Sequence, residues 1–159
     1  MTDRPTTDLV IRPDDLSGQP TRELIARHLK GMYETSPPES VHAFDIDKLK
    51  DPRVTFWSAW SGSDIAGCGA LKEMGGAKGE IKSMRVADNF LGKGVGRAIL
   101  QHIMTEAERR GMKSLWLETG SSPAFKPALS LYASHGFKRC GPFEGYTDDP
   151  FSIFMTRNI

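Results

Sequence analysis

The sequence predicts an α/β domain with a mixed sheet, and three observations carry this prediction. Strand-like and helix-like runs alternate through the second half of the 159 residues. A glycine-rich turn, "LGKGVG", joins a strand-like run directly to the clearest helix of the chain. Two earlier strand-like runs are separated by a short polar turn that is typical of a hairpin. We therefore expect one domain over residues 1–159.

The first half of the chain predicts a strand, a helix and a hairpin, in that order. The run "DLVIRP" alternates and ends at Pro13, as an edge strand does. The next run, "TRELIARHLKGMYET", has apolar residues near helical spacing, with Thr21 as a plausible N-cap and prolines after it. The hairpin is predicted from "RVTFWSAW" and "IAGCGALKEM", with the strand "EIKSMRV" following.

The second half predicts two helices separated by a short buried strand. The run "VGRAILQHIMTEAERRG" has one apolar face, and Gly111 supplies its C-terminal stop. The strand "SLWLETG" follows, and "PALSLYASHGF" predicts a second, shorter helix that stops at Gly136. The runs "FKRC" and "FSIFMTR" are the last predicted strands.

Composition and charge exclude several function classes. The formal net charge is +1 and there is no run of Lys or Arg, which argues against a nucleic-acid partner. No apolar stretch approaches the roughly 20 residues that a bilayer span needs, so we expect no membrane partner. The start "MTDRPTTDLV" lacks a signal-peptide pattern, which predicts a cytoplasmic protein. No Cys, His and carboxylate set has zinc spacing, so we expect no metal.

The glycine turn, residues 92–97, predicts a phosphate site. Glycines let a ligand approach the backbone closely, and the N-terminus of a helix presents unpaired N–H groups to an anion. A P-loop is excluded, because no segment ends in Gly-Lys-Ser/Thr. A dinucleotide fingerprint needs a glycine where Arg97 stands, but Glu118 lies about 20 residues onward, so this alternative stays open.

The same turn and a later segment resemble the GNAT superfamily of acetyl-CoA-dependent N-acetyltransferases. "LGKGVG" matches the turn of that family at Gly94 and Gly96, and "PALSLYASHGF" matches its second signature. The resemblance covers residues 80–138 well. Within the superfamily, "ETSPPESVHA" and "YTDDPFSIFMT" resemble a bacterial branch often called YsnE-like. The resemblance implies the GNAT fold, whose mostly antiparallel central sheet of about six or seven strands is flanked by helices.

The resemblance also implies a site for acetyl-CoA. Backbone N–H groups along the glycine turn would bind the pyrophosphate, and two of its side chains would add charge; the residues are Gly92, Lys93, Gly94, Val95, Gly96 and Arg97. Backbone groups of Met84, Arg85 and Val86 would meet the pantetheine arm. Two positions depart from the family: Leu91 stands where Gln or Arg is usual, and Phe125 where many members place an Asn. We therefore expect cofactor binding with altered contacts.

Three residues are candidates for the chemistry of acetyl transfer. Tyr132 matches the general acid of the family, and an ordinary phenol is protonated at neutral pH. The base is Glu118 or Glu80, with a slight preference for Glu118 because it ends a strand near Tyr132; a relay through ordered water is the alternative. Direct transfer in a ternary complex is expected, without a covalent acyl-enzyme.

The acceptor is expected to be a small-molecule amine such as an amino acid. Its predicted contacts are Ser36, Glu39 and His42 in one loop and Tyr146 in the acidic loop "GPFEGYTDDPF". A homodimer is possible, with the strand "FSIFMT" pairing across an interface. The alternatives to an enzyme are a non-catalytic acyl-CoA-binding module and a dinucleotide-binding protein.

Overall fold

The computed structural model of this chain describes residues 9–35 and 46–159. The helices in these ranges are α1 (Gln19–Thr35), α2 (Ile46–Leu49), α3 (Val95–Arg109) and α4 (Lys126–Ser134). The strands are β1 (Val10–Pro13), β2 (Val54–Ser61), β3 (Asp64–Gly75), β4 (Lys78–Val86), β5 (Ser114–Gly120), β6 (Lys138–Cys140) and β7 (Ser152–Asn158). Single 3-10 turns lie at Asp88–Phe90 and Pro123–Phe125. Of the helices described, none is both long and apolar enough to cross a membrane.

In the part of the chain that the structure describes, the strands form one seven-stranded sheet in the order β1-β2-β3-β4-β5-β7-β6. Only the β4–β5 pair is parallel among these strands, which confirms the mixed, mostly antiparallel sheet. The strand β7 lies between β5 and β6, and in the described sheet β6 pairs with residues 154–156 of it. The expected pairing of "FSIFMT" across an interface stays a prediction, and it would have to use the part of this strand that β6 leaves uncovered. A homodimer as such stays a prediction.

The parallel pair β4–β5 is short, and this creates an opening in the sheet. Its register runs from Lys78 opposite Ser114 to Ile81 opposite Leu117. Beyond that point β4 contains a bulge, where Ser83 has a left-handed backbone with φ 56°. Within the described ranges, residues 82–86 of β4 and 118–120 of β5 do not pair with each other. We call this opening the strand split.

The helices α1 and α3 cover opposite faces of the sheet. The apolar face of α3 packs on β3 at Gly67 and Gly69, where an added Cβ would lie 2.8 Å from Ile99 side-chain atoms. Ser58, which pairs with Cys68, points to the opposite face because side chains alternate along a strand. Its hydroxyl and that of Thr21 in α1 both donate to Asp14 Oδ2, at 2.6 and 2.8 Å.

Most predicted elements are confirmed, with small differences at their ends. The helix α1 begins at Gln19, so Thr21 lies inside it and is not the predicted N-cap. Its hydroxyl is instead buried in the hydrogen bond to Asp14. The predicted stops at Gly111 and Gly136 are confirmed, since both have the left-handed backbone of a helix C-terminus, with φ 82° and 86°. The prediction of one domain over residues 1–159 stays a prediction.

Candidate active site

The glycine turn places the start of α3 beside the strand split. Gly92 and Gly94 have φ of 74° and 81°, a conformation that side chains disfavour, and Gly94 is the N-cap of α3. The first bond of the helix runs from the Ala98 N–H to the Gly94 carbonyl. The N–H groups of residues 95–97 therefore precede the intrahelical ladder and point out of the helix start, where the helix dipole is positive.

The three glycines serve different purposes. An added Cβ at Gly92 would meet nothing within 4 Å, so the space beside the turn is open. Gly96 is already helical, and its added Cβ would lie 3.4 Å from Leu131 and 3.5 Å from Val86. Gly92 and Gly94 are thus required by backbone conformation, whereas a Cβ at position 96 would make ordinary contacts with α4 and β4.

Polar groups without partners border the strand split. Ser83 Oγ and Arg85 Nε on β4 and Ser122 Oγ just after β5 are buried and make no hydrogen bond within the described part of the chain. Buried polar atoms are normally satisfied, so such a group needs an explanation. The amides and phosphates of a coenzyme A arm are suitable partners for these atoms and for the open N–H groups of the glycine turn. The residues present therefore fit acetyl-CoA.

Three charged side chains lie near the turn, and Arg97 is exposed while Arg85 and Lys93 are half-buried. Arg85 Nη2 lies 3.3 Å from Asp88 Oδ1, and Lys93 Nζ lies 5.9 Å from the centre of the Phe90 ring. Arg97 is exposed on the first turn of α3. Leu91, at the position where the family usually has a polar residue, is 61% exposed. The unpaired N–H groups of the helix start are therefore the candidate anion-binding groups of this turn, and the three cations lie beside them.

Phe125 lies directly against the end of β5. An added Cβ at Gly120 would be 2.1 to 2.6 Å from three ring atoms of Phe125, so no side chain fits there while the ring stays in place. The ring thus covers the last residue of β5 beside the strand split. The sequence does not predict that residue 120 must be a glycine, because a single glycine at the end of a strand does not indicate that the Phe125 ring packs on it.

Tyr132 is buried in α4, with 5% of its surface exposed. Its ring packs edge-on against Phe137, with centroids 5.9 Å apart. Burial raises the pKa of its phenol above the ordinary value, so the hydroxyl is protonated at neutral pH. This is the protonation state that a general acid needs.

Glu80, Lys82 and Tyr146 form a hydrogen-bonded triangle on the face of the sheet opposite α3. Lys82 Nζ donates to Glu80 Oε2 at 2.8 Å and to Tyr146 Oη at 2.8 Å. The Tyr146 hydroxyl donates to the same Glu80 oxygen at 2.7 Å. Glu80 and Lys82 are 3% and 7% exposed. Burial lowers the pKa of Lys82, an effect that the adjacent Glu80 opposes.

Aromatic residues anchor the β6–β7 loop, residues 141–151, over this triangle. Phe143 lies 5.1 Å from Tyr146 and 5.4 Å from Trp116, measured between ring centroids. Phe154 of β7 lies 5.9 Å from Phe143 and 5.5 Å from Tyr146. The loop is therefore fixed to the sheet by apolar contacts as well as by the Tyr146 hydroxyl.

Glu118 lies on the same sheet face as Glu80. Glu80 is in register with Trp116, and side chains two positions apart on a strand point the same way. Glu118 is half-buried, and its charge acts on both Lys82 and Tyr146. The structure thus brings together Glu80, Glu118 and Tyr146 among the predicted site residues, whereas Ser36, Glu39 and His42 lie outside the described residues.

Lys82 is a site residue that the sequence did not predict. A Glu and a Lys two positions apart on a strand share one face, so the segment "EIKS" carried a signal for an ion pair. Nothing in the sequence indicates that both side chains are buried or that Tyr146 joins them.

The geometry agrees with the comparisons with known proteins. The family model for the acetyltransferase (GNAT) family matches residues 20–137. The chain is 52% identical to the uncharacterised N-acetyltransferase YsnE of Bacillus subtilis, over 94% of this chain and 99% of that protein. It is 47% identical to the uncharacterised N-acetyltransferase YedL of Escherichia coli, over 94% of each. It is 37% identical to an IAA acetyltransferase of Azospirillum brasilense, over 86% of this chain and 87% of that one.

Solved structures share the fold. A GNAT family acetyltransferase from Elizabethkingia anophelis with acetyl-CoA bound has a TM-score of 0.71 at 21% identity, covering 96% of this chain and 99% of that one. A Bacillus subtilis acetyltransferase in complex with CoA has a TM-score of 0.67 at 19% identity, covering 95% and 99%. The chain belongs to the GNAT acetyltransferase family, and the resemblance to YsnE is confirmed.

Proposed function

We propose that this protein transfers an acetyl group from acetyl-CoA to a primary amine of a small molecule, by direct transfer in a ternary complex. One observation carries the proposal: the strand split opens beside a helix start with unpaired N–H groups, and the space at the left-handed Gly92 is open. A long ligand with a phosphate at one end fits such a surface.

The residues of the split and the turn would hold the cofactor. N–H groups of residues 92–97 would bind the pyrophosphate, with Lys93 and Arg97 adding charge at the surface. Residues 84–86 of β4 offer backbone groups to the pantetheine arm, and the buried Arg85 Nε is a further donor. When bound, acetyl-CoA supplies the acetyl group as an activated thioester.

Residues of the chain would carry out two proton transfers. The acceptor ammonium must lose a proton, for which Glu80 and Glu118 are the candidate bases on one face of the sheet. A departing thiolate must be protonated or stabilised, for which Tyr132 is the candidate acid, since its buried phenol keeps its proton.

The charges around the triangle favour a cationic acceptor. Two carboxylates, Glu80 and Glu118, act on one buried ammonium, that of Lys82. The β6–β7 loop adds the acidic residues Glu144, Asp148 and Asp149. A small amine such as an amino acid, positively charged before transfer, suits this surround.

Two measurements test the proposal in sequence. In a thermal-shift titration with acetyl-CoA, CoA, NAD and ATP, we expect stabilisation by acetyl-CoA and CoA alone; a ligand at 100 times its Kd adds about 2.7 kcal/mol. Thiol release from acetyl-CoA is then followed with a panel of amino acids, other small amines and peptides. Stabilisation by acetyl-CoA without turnover on any amine would indicate an acyl-CoA-binding module. Stabilisation by NAD alone would contradict acetyl-CoA as the cofactor. Turnover on peptides only would contradict a small-molecule acceptor.

A further inference from the structure

The chemistry of the triangle fixes the direction of each hydrogen bond. A lysine ammonium can only donate and a carboxylate can only accept, so Tyr146 accepts from Lys82 and donates to Glu80. Burial and the neighbouring Glu80 both raise the pKa of Tyr146, so its hydroxyl keeps the proton that it donates. The triangle is therefore one ordered network rather than a set of exchangeable contacts.

Both bonds to Glu80 end on the same oxygen. Lys82 Nζ and Tyr146 Oη lie 2.8 and 2.7 Å from Oε2. Both donors therefore orient the carboxylate through Oε2, and within the described part of the chain neither of them occupies Oε1. Because Glu80 is on a paired, central strand and 3% exposed, its carboxylate is held more rigidly than one on a loop.

We propose that Lys82 and Tyr146 are positioning residues that hold Glu80 as the proton acceptor of the reaction. In this step an N–H bond of the acceptor ammonium breaks and an O–H bond forms at Glu80 Oε1. The electron pair stays on nitrogen, which becomes the nucleophile, and the proton leaves Glu80 for solvent after product release. The inference rests on the proposed function and refines it, because it chooses between the two candidate bases.

The surroundings favour Glu80 over Glu118 for this role. Among the described residues, the charged and titratable groups around Glu80 are Lys72 on β3, Lys82 on β4, Glu118 on β5 and Tyr146 on the β6–β7 loop. Of these, Lys82 and Tyr146 both direct hydrogen bonds to Glu80. The Tyr146 bond also links the base to the loop that we expect to meet the acceptor, so binding at the loop and proton transfer are coupled.

The experiment follows kcat/KM against pH with acetyl-CoA and the amine that gives the highest turnover in the panel. The variants are Tyr146→Phe, Glu80→Gln and Glu118→Gln, with Phe143→Leu as a matched control in the same loop. Tyr146→Phe keeps the ring among Phe143 and Phe154 and removes only the hydroxyl. Each variant is first checked for stabilisation by acetyl-CoA, which reports folding and an intact cofactor site without any turnover.

The expected results separate positioning from a merely structural role. Tyr146→Phe removes a donor that favours the charged carboxylate, so kcat/KM falls about tenfold near neutral pH and the acidic limb of the profile moves to higher pH. Glu80→Gln removes that limb, whereas Glu118→Gln and Phe143→Leu leave it in place. The inference is overturned if the pH profile of Tyr146→Phe is lower than that of the wild type but parallel to it. It is also overturned if the acidic limb of the profile disappears in Glu118→Gln. In both cases the proposed function stands. If the wild-type protein acetylates no amine of the panel, both the inference and the proposed function are overturned.

Discussion

The cofactor side and the acceptor side of this site are assembled over different distances along the chain. The glycine turn is one continuous run, residues 92–97, whose conformation follows from its own glycines and from the helix that it starts. The triangle instead joins Glu80 and Lys82 to a tyrosine 66 and 64 positions away. A local feature can be recognised from sequence, whereas a feature made by distant contacts exists only once the sheet and the β6–β7 loop have packed.

The largest effect is expected from breaking the buried ion pair on the acceptor side. Lys82→Met leaves the Glu80 carboxylate buried without its cation, which costs about 3 to 5 kcal/mol of unfolding free energy in urea titrations. The control is Arg109→Met, which breaks the pair with Glu106 where the arginine side chain is 72% exposed. That change costs little, because an exposed ion pair contributes little to stability. Equal losses in the two variants would show that the triangle is not a buried network.

A second variant tests a side-chain packing contact on the cofactor side, that of Gly120 with Phe125. Gly120→Ala places a methyl group against the Phe125 ring and costs about 1 to 3 kcal/mol in the same assay. Gly141→Ala, where an added Cβ meets nothing within 4 Å, is the matched control and changes stability little. Adding Phe125→Leu to Gly120→Ala recovers part of the loss; no recovery would mean that the ring is not what excludes a side chain.

A third prediction concerns pH and the thiol beneath the bulge of β4. Burial raises the pKa of Cys68 from 9.0 to about 12, and its thiol donates to the Ser83 carbonyl at 3.3 Å. The unfolded chain ionises this thiol from pH 9 while the folded chain does not, so stability is lost as the pH rises above 9. From pH 9 to pH 10 the loss is about 1 kcal/mol, and above pH 10 it approaches about 1.4 kcal/mol per pH unit.

The matched variants for this prediction are Cys68→Ala and Cys140→Ala, each unfolded in urea at pH 8, 9 and 10. At pH 8, Cys68→Ala is less stable than the wild type because the substitution leaves a cavity in the core. Its free energy of unfolding nevertheless falls less steeply with rising pH than that of the wild type. Cys140 is half-buried, and its removal changes the slope less. Parallel curves for the wild type and Cys68→Ala would contradict a buried, protonated thiol.

The smallest effect is expected at Leu91, the exposed departure from the family pattern. Leu91→Arg adds a cation beside the glycine turn, and we expect acetyl-CoA to bind two- to fivefold more tightly, as about 0.3 to 1 kcal/mol of exposed electrostatics allows. Leu91→Ala gives no such gain, and neither variant changes stability by more than about 0.5 kcal/mol. Titration calorimetry with acetyl-CoA checks this, and an unchanged Kd for Leu91→Arg would place the phosphates away from residue 91.

The elements of the fold could be predicted because their signals are local. The helix α3 was expected from the apolar spacing of Ile99, Leu100 and Ile103 and from its glycine stop, and the structure agrees. The order of strands was not predictable in the same way: β7 lies between β5 and β6, and nothing in "FSIFMT" indicates which neighbours it pairs with.

The same distinction between local signals and distant contacts applies to the residues of the candidate site. The glycine turn was identified from its residues, and Glu80, Glu118 and Tyr146 were named as candidates one by one. Their convergence, the burial of Lys82 and the contact of Phe125 with Gly120 depend on register and side-chain packing, which a single sequence does not encode locally. The sequence therefore leaves the base between two carboxylates, and the hydrogen bonds of the triangle support the proposal of Glu80.

The most direct test of the account compares acetyl-CoA binding by Gly92→Trp and Gly111→Trp in titration calorimetry. Both glycines have a left-handed backbone, with φ 74° and 82°, and an added Cβ meets nothing within 4 Å at either one. The two substitutions therefore strain the chain alike, but only residue 92 faces the proposed pyrophosphate site. We predict that Gly111→Trp binds acetyl-CoA as the wild type does and that Gly92→Trp binds at least about 100-fold more weakly, a difference of roughly 2.7 kcal/mol. Equal affinity in the two variants would show that the cofactor does not bind at the glycine turn.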